Sequence, residues 1–206
     1  MLAILLLGGA SMALPALRTP VLRAAGGALV ASDVLDPADV IVVAVDADGA
    51  GVLEAADLVH GGAAPRVAVF SDPPDSVVDR EFIRRGIPYE DDAARSLRQL
   101  QALGVENVEQ IARPVAGTED EGRVLPGWCD EQGLRSVVVV ARSDHSRRLR
   151  RVLRRSMAGH QTRITVRPAR YSRFDPDRWW RSRDGTRTFL IEMEKLLLDI
   201  ALHPIS

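Results

Sequence analysis

The chain predicts a doubly wound α/β fold of the Rossmann-like kind, a mainly parallel sheet with helices on both faces. Three observations predict it. Short runs of β-branched residues alternate with helix-length stretches along most of the sequence. The best runs, Val40–Val45 and Ser136–Ala141, are apolar on both faces, as in strands covered from both sides. Glycines and prolines fall where helices should stop. With 206 residues, 46% of them hydrophobic, the chain can bury a single core without disulfides, and Cys129 is its only cysteine.

Residues 2–17 (LAILLLGGASMALPAL) carry no charge. They fall short of the roughly 20 apolar residues that span a bilayer. No arginine or lysine precedes them, as one would in a secretory signal. A short membrane anchor, a signal peptide and a buried N-terminal helix all stand as readings, with the first two favoured. Arg18 and Arg23 follow the segment, an order that would keep the domain on the cytoplasmic side of a membrane. The expected organisation is a hydrophobic segment and connector over residues 1–30, then one α/β domain over 31–206, with residues 18–38 read as connector.

The elements then run in order. A strand at Val40–Val45 leads to a helix over Ala50–Gly61, ended by glycines. Arg66–Phe70 is the second strand, followed by helices over Ser76–Arg85 and Ala93–Leu103, the latter ended by Gly104. Val108–Pro114 holds a short strand, and Glu119–Gln132 a helix stopped at Gly133. After the strand Ser136–Ala141 comes a basic helix, His145–Met157, then a strand at Arg163–Arg167. A long helix, Gly185–Leu202, closes the chain with Phe189, Leu190, Met193, Leu196, Leu197 and Ile200 as its apolar positions.

Charge narrows the function classes. A net charge of −1 excludes a uniformly basic nucleic-acid binder. Four histidines without ligand spacing and one cysteine give no metal site, and no cofactor is indicated. The charge is unevenly spread: residues 33–110 hold about 16 acids and 6 arginines, and residues 142–187 about 15 arginines and 4 acids. That split suggests a bipolar surface with a face suited to anions, or else a solvated arginine-rich helix.

Parallel sheets bind ligands beyond the carboxyl ends of their strands. After the first strand, Asp46 and Asp48 can hold a divalent cation through water or cap the next helix. After the second, Ser71 and Asp72 precede a rigid Pro73-Pro74 turn and face the crevice. Thr118 and Glu121 have the spacing of a capping box at a helix start that can also meet a polar ligand. After the best strand, Ser143 or Asp144 can cap the basic helix. His145 enters its first turn, and Arg148 shares the face of His145. Histidine and arginine beside a helix start form a clamp for phosphate or carboxylate, with His145 able to move a proton. The other arginines of this helix suit a solvated or interaction face. Cys129 reads as a buried structural thiol. Trp179 and Trp180 read as a packing plug, as an aromatic belt at a membrane surface, or as a platform that stacks on a ligand. Glu192 and Lys195 are spaced to pair.

The order of these landmarks resembles the DUF218 family, the group of the YdcF-, SanA- and ElyC-like proteins, over roughly residues 36–200. Pro37-Ala38-Asp39 runs into the first strand, and Ala64-Pro65 steps into the second. Gly86-Ile87-Pro88 forms a turn, and Thr118 to Glu121 opens a helix. Ser143, Asp144 and His145 follow a strand with Arg148 three later, and Trp179 and Trp180 approach a helix bearing Glu192 and Lys195. The chain departs from the family at Asp46-Ala47-Asp48 and Ser71-Asp72-Pro73, where glycine-rich turns are usual, and at Asp144, where an aromatic residue is usual. The resemblance implies a Rossmann-like fold and a single N-terminal anchor in a bacterial inner membrane. It implies a role in envelope and cell-wall biogenesis, on a phosphorylated or lipid-linked anionic precursor. His145 would act on a proton, while Arg148, Ser71, Asp72, Thr118, Glu121, Ser143 and Asp144 would contact ligand. The alternatives are a nucleotide or S-adenosylmethionine-binding module without catalysis, and a scaffold at a membrane surface.

Overall fold

The structure is a computed structural model and describes residues 15–74, 77–89 and 91–204. Five strands make one parallel sheet: β1 (Val40–Val43), β2 (Val67–Phe70), β3 (Val108–Ile111), β4 (Ser136–Ala141) and β5 (Arg163–Pro168). Their order across the sheet is β3-β2-β1-β4-β5. This is a Rossmann-like α/β fold. The register sets Val43 of β1 beside Val69 of β2 and Val140 of β4. β1 and β2 are buried at every residue, which is why their sequences do not alternate.

The helices are α1 (Pro15–Gly27), α2 (Asp48–His60), α3 (Val77–Arg84), α4 (Asp92–Ala102), α5 (Thr118–Gln132), α6 (Ser146–Ser156) and α7 (Arg183–Leu202). α2 and α4 pack together against one face of the sheet, and α5 and α6 pair on the other. Two glycines permit the close approaches. A Cβ on Gly51 would stand 2.5 Å from the Ala47 Cβ, and one on Gly122 would stand 2.7 Å from Cγ1 of Val152 on α6.

A second, smaller core lies beside the main one. Trp179 stacks on Phe189 at 3.7 Å between ring centroids and donates its indole N–H to the Leu22 carbonyl. Leu29, Phe174 and Leu196 complete this core, with Trp180 and Met193 against it. The tryptophans therefore pack α7 against α1. The stretch expected as a connector over 18–38 contains most of α1, because Leu22 and Ala25 find this second core. The uncharged segment lies largely outside the described residues, as does Ser76. No helix among the described residues is long and apolar enough to cross a membrane.

Two further expectations change, and one about Cys129 stands. The outward arginines of α6 are not a solvated face. Arg150 and Arg154 bind Asp33, Arg151 and Arg155 bind Asp199, and Arg147 donates to the Ala28 and Val30 carbonyls. Acids distant in sequence neutralise all of these but Arg147. On α7, Phe189 and Leu196 are buried, whereas Leu190, Leu197 and Ile200 are exposed. Buried Glu192 and Asp199 take the inner positions, because the arginines of α6 claim them. Cys129 is buried, and burial pushes its thiol up to about 12, as suits a structural cysteine.

Candidate functional site

The strand order reverses between β1 and β4: chain order runs outward from β1 through β2 to β3, then restarts on the other side with β4. Ligands of such sheets bind in the crevice at that switch point. Asp46 lies three residues beyond β1, and His145 four beyond β4, at the end of a turn of 3₁₀ helix, Ser143–His145. They meet across the switch point, with His145 Nε2 standing 3.0 Å from Asp46 Oδ1. The two atoms are close enough for an ion pair but are not aligned as a hydrogen bond.

Glu121 comes in from α5, and its Oε1 accepts the Val45 backbone N–H at 2.8 Å. Arg148 comes from α6 and approaches Glu192 Oε2 at 3.5 Å. Glu192 Oε1 accepts from Lys195 Nζ at 2.7 Å, the pairing expected from their spacing. Asp46, Arg148, Lys195 and the start of α5 from Ala116 to Asp120 line a cleft of about 400 Å³.

The polar accounting singles out this place. Among the described residues, the buried side-chain nitrogens and oxygens lacking a hydrogen-bond partner are Asp46 Oδ1, Glu121 Oε2, both ring nitrogens of His145, and Arg148 Nε. Buried polar groups are otherwise almost always paired. Glu121 and His145 are each only 1% exposed, so solvent does not serve them.

The charges respond to one another. Burial opposes the charged form of His145, but contact with Asp46 and the charges of Asp46, Glu121 and Asp144 outweigh it and raise the imidazole above its ordinary value. Burial likewise opposes ionised Asp46. Contact with His145 and the charges of His145, Arg142 and Arg148 win and hold its carboxyl below the usual range. Glu121 goes the other way: burial first, then the Asp46 charge, lift it to about 7. The site thus favours the imidazolium–carboxylate form of the pair, beside a carboxyl poised near neutral pH between its two forms. Such a group can give or take a proton. Arg148, Lys195 and the start of α5 bring positive groups to the same cleft, which Asp46, Glu119 and Asp120 also line. No group of three or more histidine, cysteine or acidic side chains positioned for a metal ion occurs among the described residues.

The expected site residues divide. Arg148 and Thr118 line the cleft; His145 and Glu121 are buried beside it, His145 against Asp46. Neither expected cap forms at its helices. Gly117 is the N-cap of α5 and makes no side-chain cap bond; Glu121 is drawn instead to Val45, and Asp120 reaches back to the Ala116 N–H. α6 has no side-chain cap either. Ser143 donates to the Phe174 carbonyl, and Asp144 is gripped by Arg142, so both anchor the loop and do not face the cleft. Asp46 and Asp48 do not cap α2, whose N-cap is Ala47 without a side-chain bond.

Ser71 and Asp72 lie apart from this centre. The Ser71 hydroxyl donates to the Ile111 carbonyl at 2.9 Å and accepts from Gln110 at 2.7 Å, tying β2 to β3. Asp72 accepts from the Tyr89 hydroxyl and from the Asp92 N–H, tying the end of β2 to the start of α4 across the segment that holds α3. Sequence reasoning weighed Asp46 as a cap or cation ligand but missed it as the partner of His145. Its position just after the first strand was the available signal.

No family model matches the chain, and no curated protein matches it. Among solved structures, a universal stress protein crystallised in complex with cAMP aligns with 65% of this chain and 99% of its own, at 17% identity and a TM-score of 0.36. Identity and overlap of that size say nothing about the ligand of this cleft.

Proposed function

We propose that the switch-point cleft binds an anionic, phosphorylated small molecule and that His145, paired with Asp46, moves a proton on it. The observation that carries this reading is that the buried polar atoms without a hydrogen bond gather on Asp46, Glu121, His145 and Arg148. Arg148 and Lys195, with the start of α5, would hold the anion. Glu121 would sit behind Asp46 as a second proton acceptor. The loop after β1 is not the phosphate cradle in this reading, because the Val45 and Ala47 amides are already taken by Glu121 and the Ala44 carbonyl.

The order of sequence landmarks supports a DUF218-type protein. A lipid-linked cell-wall precursor is therefore the first substrate class to try, with membrane association through the uncharged N-terminal segment. A nucleotide or S-adenosylmethionine module is the second reading, favoured by the strand order 3-2-1-4-5, which is that of dinucleotide-binding sheets.

Ligand-dependent melting of the intact chain tests both. The probes are inorganic phosphate, a prenyl phosphate, nucleotides and S-adenosylmethionine. The first reading expects stabilisation by a non-nucleotide phosphate, about 2.7 kcal/mol at a hundredfold excess over Kd, lost in His145→Ala and in Arg148→Ala. Stabilisation by adenosyl ligands alone supports the second. A phosphate effect that persists in both variants, or no effect of any probe, overturns the assignment of this cleft.

A further inference from the structure

Helix α7 has a polar and an apolar face in the wrong places for a helix that only packs inward. Its inner face buries Phe189, Glu192, Leu196 and Asp199. Its outer face carries Leu190, Leu197, Leu198 and Leu202, which are 60%, 57%, 58% and 65% exposed, together with Ile191. Contiguous exposed aliphatic surface of this kind marks an interaction face. Arg187, Glu194 and Ala201 run down the middle of the stripe, seven residues apart, the heptad spacing of paired helices. Neither Arg187 nor Glu194 has an ion-pair partner among the described residues, in contrast to the outward arginines of α6. They cannot meet within one helix, where seven residues separate them by about 10 Å.

We propose that this face binds the same face of a second copy of the chain, antiparallel, making a two-fold dimer. In that arrangement each Arg187 lies opposite Glu194 of the other protomer, so one pairing occurs twice by symmetry. Leu190 and Ile191 then flank the two-fold axis. Leu198 reaches the concavity of about 640 Å³ that Trp180, Arg183, Arg187 and Leu190 line on the other protomer. The two helix dipoles also oppose each other favourably. Glu194 in the middle of the stripe argues for a protein partner over an anionic bilayer, which would repel it.

Sedimentation of the intact chain, from about 1 to 100 μM, tests the proposal. A dimer is expected for the wild type. Leu197→Glu should be monomeric with unchanged circular dichroism, because the side chain is exposed in one protomer. Arg187→Glu and Glu194→Arg should each weaken the dimer about tenfold, and the double swap should restore it, since it re-creates both pairings. A wild type monomeric throughout, or a dimer indifferent to these substitutions, overturns the proposal. So does binding to phosphatidylglycerol vesicles that Leu197→Glu abolishes in a monomeric protein, since the face would then belong to lipid. Dimerisation only after deletion of residues 1–14 would give the face to that segment and overturn it equally.

Discussion

Two fully buried glutamates, Glu54 and Glu121, lie on helices at opposite faces of the sheet, and they keep different company. Glu54 accepts from Arg167 Nε at 3.1 Å, from Arg170 Nε at 2.8 Å and from the Arg170 backbone N–H at 3.1 Å. It ties α2 to β5 and the loop beyond. Glu121 has one backbone donor and no donor on its other oxygen, and the charge of Asp46 disfavours its ionised form. The first carboxylate is fully used in holding the fold. The second opposes folding once ionised, and such groups collect where chemistry is done. α6 repeats the contrast: Arg150, Arg151, Arg154 and Arg155 are held by Asp33 and Asp199, while Arg148 keeps an unpartnered Nε at the cleft.

The largest expected effect is on the structural side. Glu54→Ala removes three hydrogen bonds from a buried carboxylate and should destabilise the protein by about 3 kcal/mol at neutral pH; the partial exposure of both arginines keeps the loss from being larger. Urea unfolding measures it, and a midpoint close to wild type would erase the distinction drawn between the two glutamates.

Glu121→Gln should act in the opposite direction and only over part of the pH range. In the folded chain the carboxyl titrates near 7, raised by burial and then by Asp46, against 4.5 for the free group. Between those values the folded protein keeps a proton that the unfolded chain has lost. Stability therefore falls as pH rises through this window, by no more than roughly 1.4 kcal/mol per unit. The amide keeps the Val45 hydrogen bond and cannot ionise. The variant should match the wild type at pH 4 and exceed it at pH 8. His145 drives the wild type the same way, since its raised value gives stability below 6.5 that fades as pH rises further. A wild type–variant difference that is flat from pH 4 to 8 would remove Glu121 from the titrating centre. Anion binding in the cleft should weaken over the same rise, because Glu121 adds negative charge, and Glu121→Gln should flatten that decline.

The smallest effect sharpens the boundary of the site. Ser71→Ala breaks the tie between β2 and β3 and should cost about 1 kcal/mol. It should leave phosphate-dependent melting unchanged, whereas Arg148→Ala should abolish it. Loss of the ligand effect in Ser71→Ala would extend the site to the second strand.

Much of the fold was legible in the chain. β4 stands where the SVVVVA run predicted it, and β1 starts at the predicted residue and stops two short. A run of β-branched residues buried on both faces carries its own signal. Helix ends were legible to within a residue or two at α2, α4 and α5, because glycines mark local stops. The caps were not legible, since a side chain chooses between the nearest amide and one that only folding brings close. Thr118 and Glu121 have the spacing of a capping box, yet Glu121 binds Val45, 76 positions away.

The sequence by itself determined the strands, the alternation with helices and the two strand ends on which a site is built. His145 and Arg148 belong to that part, because helical periodicity puts both on one face. Tertiary structure decided who meets whom. It set Asp46 against His145 across 99 residues, and it set the acids of the connector and of α7 against the arginines of α6. It left the outer face of α7 apolar and unpaired. Local propensity is written in neighbouring residues, but charge pairing depends on distance through space, and the order of strands in the sheet sets that distance.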